Sequence, residues 1–280
     1  MHPLLAPFVA SVYQYEGELP HGRELALATG RAQLVVNLAE DAQRWYDGPG
    51  HGVAHTLPAA ATVRGPSTGP LCIDTAEQRS VVGVSFRPGG AYPFFGVLPA
   101  GAYLPLAECW GDAGAALADR LRRVAPAERV PLVEALLVDR LGAGPDPFVA
   151  RAVALLDRGV PVGVVADRLG VTDRGLARRF ASRVGCPPKR YARVRRFQRA
   201  ARLAAESLAV QGFRVDWAGV AARCGYVDQS HLIHDFREFA GVTPGRYVPR
   251  GPAAHNHLPV SDFANPVDAE RGRLGPWTSR

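Results

Sequence analysis

Arg174 and Arg178 stand four residues apart, and a guanidinium fork suits two partners above others: the acceptor edge of guanine and the paired oxygens of a phosphate. On a helical wheel with Leu176 at the centre of the apolar stripe, Phe180 and Val184 continue the stripe. Arg174 and Arg178 then face directly away from it. The same frame recurs 56 residues later. There Leu232, Phe236 and Phe239 face inward, Ser230 and His234 outward, and His231 and Arg237 flank them. Serine and histidine also hydrogen-bond bases or phosphates, with less discrimination than arginine on guanine. Two short helices with polar heads on one face suit contact with a polyanion.

Catalytic arrangements are not evident. No Ser/His/Asp, Cys/His or paired-carboxylate constellation stands out, so no enzyme activity is expected. His51 and His55 are four apart but lie in a glycine-rich segment, where that spacing has no geometric meaning. A metal-dependent barrel needs several histidines and a glutamate converging from strands, so neither metal nor cofactor is expected. Arg87-Pro88-Gly89-Gly90 reads as a tight turn with Arg87 pairing a carboxylate of its own domain, an anion-holding loop being the alternative. Cys72, Cys109, Cys186 and Cys224 fit no zinc spacing and read as reduced core thiols, with Cys72 and Cys109 the candidates for redox sensing.

These side chains need elements to hold them, and an internal repeat supplies the elements. Thr172, Leu176, Phe180, Pro188 and Tyr191 are matched at a constant offset of 56 by Asp228, Leu232, Phe236, Pro244 and Tyr247. The turn glycines Gly170 and Gly225 are offset by 55, so the second turn carries one extra residue. Thr172 and Asp228 are good N-caps, each with an oxygen for an orphan amide. Periodicity predicts helices near 147–158, 162–169, 173–184, 188–207, 217–223, 229–240 and 244–248. The connecting helix, at roughly 18 residues, spans about 27 Å, of the order of the ~34 Å turn that separates successive major grooves. It is predicted to bury Val194, Phe197, Ala201 and Leu203/Ala204 and to expose Arg193, Arg195, Arg196, Arg199 and Arg202 as phosphate candidates. The amide ends following Pro188 and Pro244 are further candidates.

The first 110 residues read differently. Gln33–Leu38 and Ser80–Phe86 alternate as strands, the latter with Val82, Val84 and Phe86 on one face. A short helix is predicted at 93–97 and longer ones at 114–124 and 126–141. The run Gly142–Pro147 reads as a linker. The division is therefore 1–142 as a candidate sensor domain and 146–250 as an all-helical domain with helix-turn-helix units at about 162–184 and 217–240. Residues 251–280 are expected to be a disordered tail. The whole is α+β by class.

Charge follows this division. The chain has a net charge of +7, but residues 1–145 hold 11 arginines against 14 acids, and residues 146–250 hold 19 basic residues against 9 acids. The helical half is the half suited to a polyanion. The N-terminus lacks the cationic start and long apolar core of a signal peptide, and no apolar run is long enough for a membrane span, so a cytoplasmic location is expected.

The stretch Cys224-Gly225-Tyr226-Val227-Asp228-Gln229-Ser230-His231-Leu232, continuing through Phe236-Arg237 to Gly241-Val242-Thr243-Pro244-Gly245-Arg246-Tyr247, resembles the signature of the AraC/XylS family of transcription regulators. The resemblance spans about residues 148–249. It implies a bipartite DNA-binding domain, usually of an activator, beside a mainly β, often cupin-like, sensor domain. By position, base-reading falls on Arg174, Ala177 and Arg178 in the first unit and on Ser230, His231 and His234 in the second. Ala177 departs from the longer polar residue often found there. Phosphate contact falls on Arg190, Arg195, Arg196, Arg199, Arg237 and Arg246. Implied partners are double-stranded DNA and, as candidates, RNA polymerase, a small-molecule effector and a second copy of the chain. The rival reading is a cupin-like metal- or ligand-binding enzyme domain fused to a DNA-binding domain.

Overall fold

The computed structural model describes residues 1–19, 21–46, 53–211, 215–249 and 251–260. The N-terminal part contains nine strands: β1 (Val9–Glu16), β2 (Arg23–Ala26), β3 (Gln33–Asn37), β4 (Gln43–Tyr46), β5 (Ala54–Leu57), β6 (Ala61–Arg64), β7 (Leu71–Asp74), β8 (Ser80–Phe86) and β9 (Tyr103–Pro105). Short helices α1 (Tyr92–Phe95), α2 (Ala107–Trp110) and α3 (Asp112–Ala115) lead into α4 (Leu117–Arg123) and α5 (Pro126–Asp139). The helical half follows as α6 (Pro147–Asp157), α7 (Val162–Arg168), α8 (Asp173–Val184), α9 (Pro188–Gln211), α10 (Trp217–Arg223) and α11 (Gln229–Ala240). A last strand, β10 (His257–Pro259), closes the described chain.

Two five-stranded sheets result, one ordered β1-β8-β3-β6-β9 and the other β10-β2-β7-β4-β5. All pairings are antiparallel. Alternation assigns the two faces of the first sheet. Leu34, Val36, Val82, Val84 and Phe86 pack with Leu117, Leu121, Val133 and Leu137 of α4 and α5 in one core. Their alternates Gln33, Val35, Val81 and Ser85 line a cavity of about 530 Å³, whose other walls come from the second sheet. At Gly83 a Cβ would stand 2.1 Å from the Tyr13 ring, so only glycine lets that ring lie against β8.

Two features depart from the sequence expectation. The predicted helix 114–124 is broken at Ala116, leaving α3 and α4. The segment after Arg250, expected to be without structure, forms a 3₁₀ turn at Pro252–Ala254 and then β10, which pairs antiparallel with β2 (His257 opposite Ala26, Leu258 opposite Leu25). Leu258 is fully buried there, and the bonds of Asn256 to Leu27 and Gln198 and of His257 to Glu24 help seat the three-residue strand on an open sheet edge. Residues 261–280 lie outside the described residues.

Candidate nucleic-acid interface

Each helix-turn-helix unit is built by the same local chemistry. The turns hold Gly170 at φ +66° and Gly225 at φ +75°, left-handed positions that favour glycine. The Thr172 hydroxyl accepts the Gly175 amide at 3.1 Å, and the Asp228 carboxylate accepts the His231 amide at 2.7 Å. Both α8 and α11 run 12 residues and end on left-handed glycines, Gly185 and Gly241. The buried faces are Leu176, Phe180 and Val184 in α8 and Leu232, Phe236 and Phe239 in α11.

The outward faces differ in charge. Arg174 and Arg178 are exposed on α8, with Ala177 half-buried between them. Neither arginine has an ion pair or side-chain hydrogen bond among the described residues. On α11, Ser230 and His234 are exposed, while His231 is half-buried, its Nε2 2.8 Å from Arg196 Nη2 and its ring edge-on to Tyr226. His234 Nε2 stands 3.5 Å from Glu238.

The connecting helix corrects the reading of its arginines. It runs 24 residues, not 18, or about 36 Å. Val194, Phe197, Ala201 and Ala204 are buried as expected. Of its five arginines expected to face solvent, only Arg202 is exposed. Arg193 and Arg196 bind Asp235 at 2.7 and 3.1 Å, and Arg193 and Arg190 also pair with Glu238. Asp235 is completely buried, and two guanidinium groups compensate its charge. Arg195 donates to Asp157 at 2.8 Å, and Arg199 to the Asp157 carbonyl at 3.0 Å. Arg190, Arg195, Arg196 and Arg199 thus have internal partners. They hold α9 to α6 and α11. Arg237 and Arg246 are exposed, without a partner among the described residues. After Pro244 the backbone makes only a three-residue 3₁₀ turn.

The N-terminal half is bound to this domain at several points. Phe197, Phe236 and Phe239 share one core with Leu25, Leu27, Ala28, Tyr46 and Cys72 of the second sheet and with Leu258 of β10. The Ala28 amide donates to the Phe239 carbonyl at 3.0 Å. Gln198 of α9 donates to the Ala28 carbonyl at 2.6 Å and to Asn256 at 2.8 Å, and Arg190 donates to the Thr68 carbonyl at 2.5 Å. Thr68 and Asn256 both line the cavity. The core of the first unit, from Val149 to Tyr191, contains helical-domain residues alone. It meets the N-terminal half along its edge, where the Ala100 amide donates to the Gly185 carbonyl at 2.9 Å, Arg183 lies 4.0 Å over the Tyr92 ring, and Gly30 and Gly89 approach Tyr191 and Val149.

The other candidate residues settle as follows. Arg87 pairs with no carboxylate among the described residues; its Nε braces the Ala6 carbonyl at 2.9 Å. His51 lies outside the described residues, and no cluster of three metal-ligating side chains occurs among those described. All four cysteines are free, and burial pushes the Cys72 and Cys109 thiols up, away from the reactive thiolate. Burial raises Cys186 to about 12. Sequence reasoning missed the cavity and β10, neither of which carries a periodic signal.

Two capped helices of equal length, each outward face polar and each preceded by a shorter helix and a glycine turn, define a DNA-binding domain of two helix-turn-helix units. Residues 165–250 match the helix-turn-helix domain family, and residues 2–104 match a domain of unknown function, DUF6597. Over residues 165–250 the chain carries a DNA-binding helix-turn-helix domain of the AraC type. No curated protein matches it. Among solved structures it is similar to ToxT from Vibrio cholerae (9% identity, 86% of this chain and 97% of that one, TM-score 0.45). It is also similar to ToxT bound to (E)-4-(8-methylnaphthalen-1-yl)but-3-enoic acid (9%, 86% and 98%, 0.46) and to wild-type ToxT bound to unsaturated fatty acid (10%, 88% and 96%, 0.43). Likenesses of this size carry no information on what this chain binds. No helix among the described residues is long and apolar enough to cross a membrane.

Proposed function

We propose that the chain is a sequence-specific regulator, of the activator kind, that reads two adjacent major grooves from one polypeptide and is controlled by a ligand in its N-terminal cavity. The pairing of α8 and α11 across α9 carries this reading. The two helices share length, caps and facing, and the intervening helix spans about one DNA turn. In the first unit Arg174 and Arg178 read bases, with Ala177 against a thymine methyl or silent. In the second, Ser230 and His234 do so, and the reach of His231 depends on its bond to Arg196. Arg237 and Arg246 supply phosphate contacts. The regulator acts in the cytoplasm, where RNA polymerase and a second copy of the chain are its further partners. The division at 142–146 separates the sensor from the reader.

Control has a physical route. Cavity-lining segments on either side of Ala28, at Thr68 and at Asn256 are hydrogen-bonded to α9 and α11, so a ligand that moves those walls acts on the second unit first. The test is fluorescence anisotropy with DNA upstream of the gene encoding this protein, against shuffled DNA, at two salt concentrations. Saturable binding that prefers the native sequence and survives moderate salt is expected. Equal, salt-fragile binding to both DNAs, with and without effector candidates, rules out a sequence-specific reader.

A further inference from the structure

The cavity between the two sheets has an unbalanced charge. Arg64 and Arg31 both line it. Among the described residues no carboxylate lies within ion-pair distance of either. Arg64 Nη2 bonds the Tyr103 hydroxyl and stands 3.5 Å from Gln43, both neutral, and its Nε is buried with no partner. Asp157, the acid nearest in effect to Arg31, is occupied by the Tyr191 hydroxyl and Arg195 Nε, each at 2.8 Å. Burial is the first cause pulling the Arg31 pKa down and the Arg195 charge the second, so the cationic form is penalised until an anion joins it. The cavity does hold one acid, Glu24, but its two oxygens are bound by His21 and His257. One acid set against two arginines leaves the cavity with an excess of positive charge.

One wall of the cavity is aromatic and flat. Arg64 lies 4.4 Å over the Tyr103 ring, Tyr103 stacks on Trp45 at 4.3 Å between centroids, and Trp45 stacks on His55. At about 530 Å³ the space suits a small organic molecule, since ligand pockets run from about 300 to 1,000 Å³. A partly buried guanidinium without a counter-charge is held at a cost in desolvation. That cost is relieved when a carboxylate, sulfonate or phosphate oxygen enters.

We propose that the N-terminal cavity takes an anionic effector with a planar, apolar body, its acid group held by Arg64 and Arg31 and its body laid along Tyr103 and Trp45. This rests on the ligand-control reading above and names the chemistry of its ligand.

The experiment compares two probes of one body on the full chain: anilinonaphthalene sulfonate, which is anionic, and phenylnaphthylamine, its neutral counterpart. Entry is read as quenching of Trp45, taken as the part of the tryptophan quenching that is lost in Trp45→Phe. The anion is expected to bind at least about tenfold tighter than the neutral probe, the size of one charge-assisted hydrogen bond. Arg64→Gln with Arg31→Gln is expected to remove that preference and leave the neutral probe's affinity unchanged. Arg120→Gln, an exposed arginine far from the cavity in sequence, is expected to change neither. Equal affinities in the wild-type chain overturn the anionic class while leaving a ligand cavity standing, and this comparison needs no variant to fold. A preference that persists in the double arginine variant also overturns it. Failure of both probes to quench Trp45 overturns the cavity reading itself.

Discussion

The two helix-turn-helix units descend from one pattern, and they differ in what they are fastened to. The first has a core of its own, free arginines on its outer face, and one backbone bond to the N-terminal half at Gly185. The second shares its core with the second sheet and β10, carries Ser230, His234 and Arg237 outward, and spends its acids on the connecting helix. In this molecule the unit with arginines on its outer face keeps its core to itself, and the other shares its core with the second sheet. Under the proposed function, the unit sharing that core is the one whose position a ligand would govern.

The most forceful way to break this comparison is to cut the shared core. Phe239→Ala should cost about 3–5 kcal/mol and, by hydrogen exchange, release amides in β2 and β7 as well as α11. Phe180→Ala, of similar cost, should leave the sheets protected. Sheets equally affected by both would remove the asymmetry. Next in size is Asp235→Asn, which leaves the half-buried Arg196 without its acid while Arg193 keeps Glu238, and should cost about 1–3 kcal/mol, read by denaturant melts. Arg196→Ala, for the same reason, should lower stability without altering the salt dependence of DNA binding. Arg246→Ala should flatten that slope by about one unit at unchanged stability. If the two arginines exchange outcomes, the internal pairing does not hold in solution.

Smaller effects test base reading. Arg174→Ala and Arg178→Ala should each cost about 1–3 kcal/mol and relax specificity in one half-site. Ser230→Ala and His234→Ala should cost about 0.5–1.5 kcal/mol, the net worth of an ordinary hydrogen bond. Quantitative footprinting on single-base operator variants ranks all four, and equal losses across the two half-sites would show that both units read alike. Gly185→Ala tests the backbone junction of the first unit with the N-terminal half. The residue sits at φ +87°, and a Cβ would meet the Leu98 carbonyl oxygen at 1.9 Å. About 1–3 kcal/mol of strain is expected, seen as a lowered melting temperature, with the second unit's contacts to the sheet intact.

Much of the helical half was readable because helix signals are local. Caps, wheel faces and terminal glycines of α8 and α11 all lie within a dozen residues of one another. What the wheel could not reveal was the company of an outward face. It placed Arg193 and Arg196 away from the stripe of α9 correctly, but their acids sit on α11, about 40 residues on, and packing turned a solvent face into an interhelical one. Asp235, one position before the core residue Phe236, was the one local hint of a buried charge. In the β half, alternation separated Val82, Val84 and Phe86 from their alternates. It did not reveal that those alternates face a cavity, because a strand packed on both sides and a strand lining a void have the same period. β10 was invisible because three residues have no period, and its partner strand lies at the other end of the sequence.

That last strand bears on how the protein is made. His257 pairs with Ala26, 231 residues earlier in the chain, so at ribosomal speeds the β2 edge waits roughly 10 to 50 s for its partner. Throughout that interval the nascent sheet presents an unpaired edge, and the cavity lacks the wall that Asn256 and His257 provide. The pocket is not complete until the helical half has left the ribosome. A chain truncated anywhere within the helical half leaves the cavity without that wall and the β2 edge unpaired.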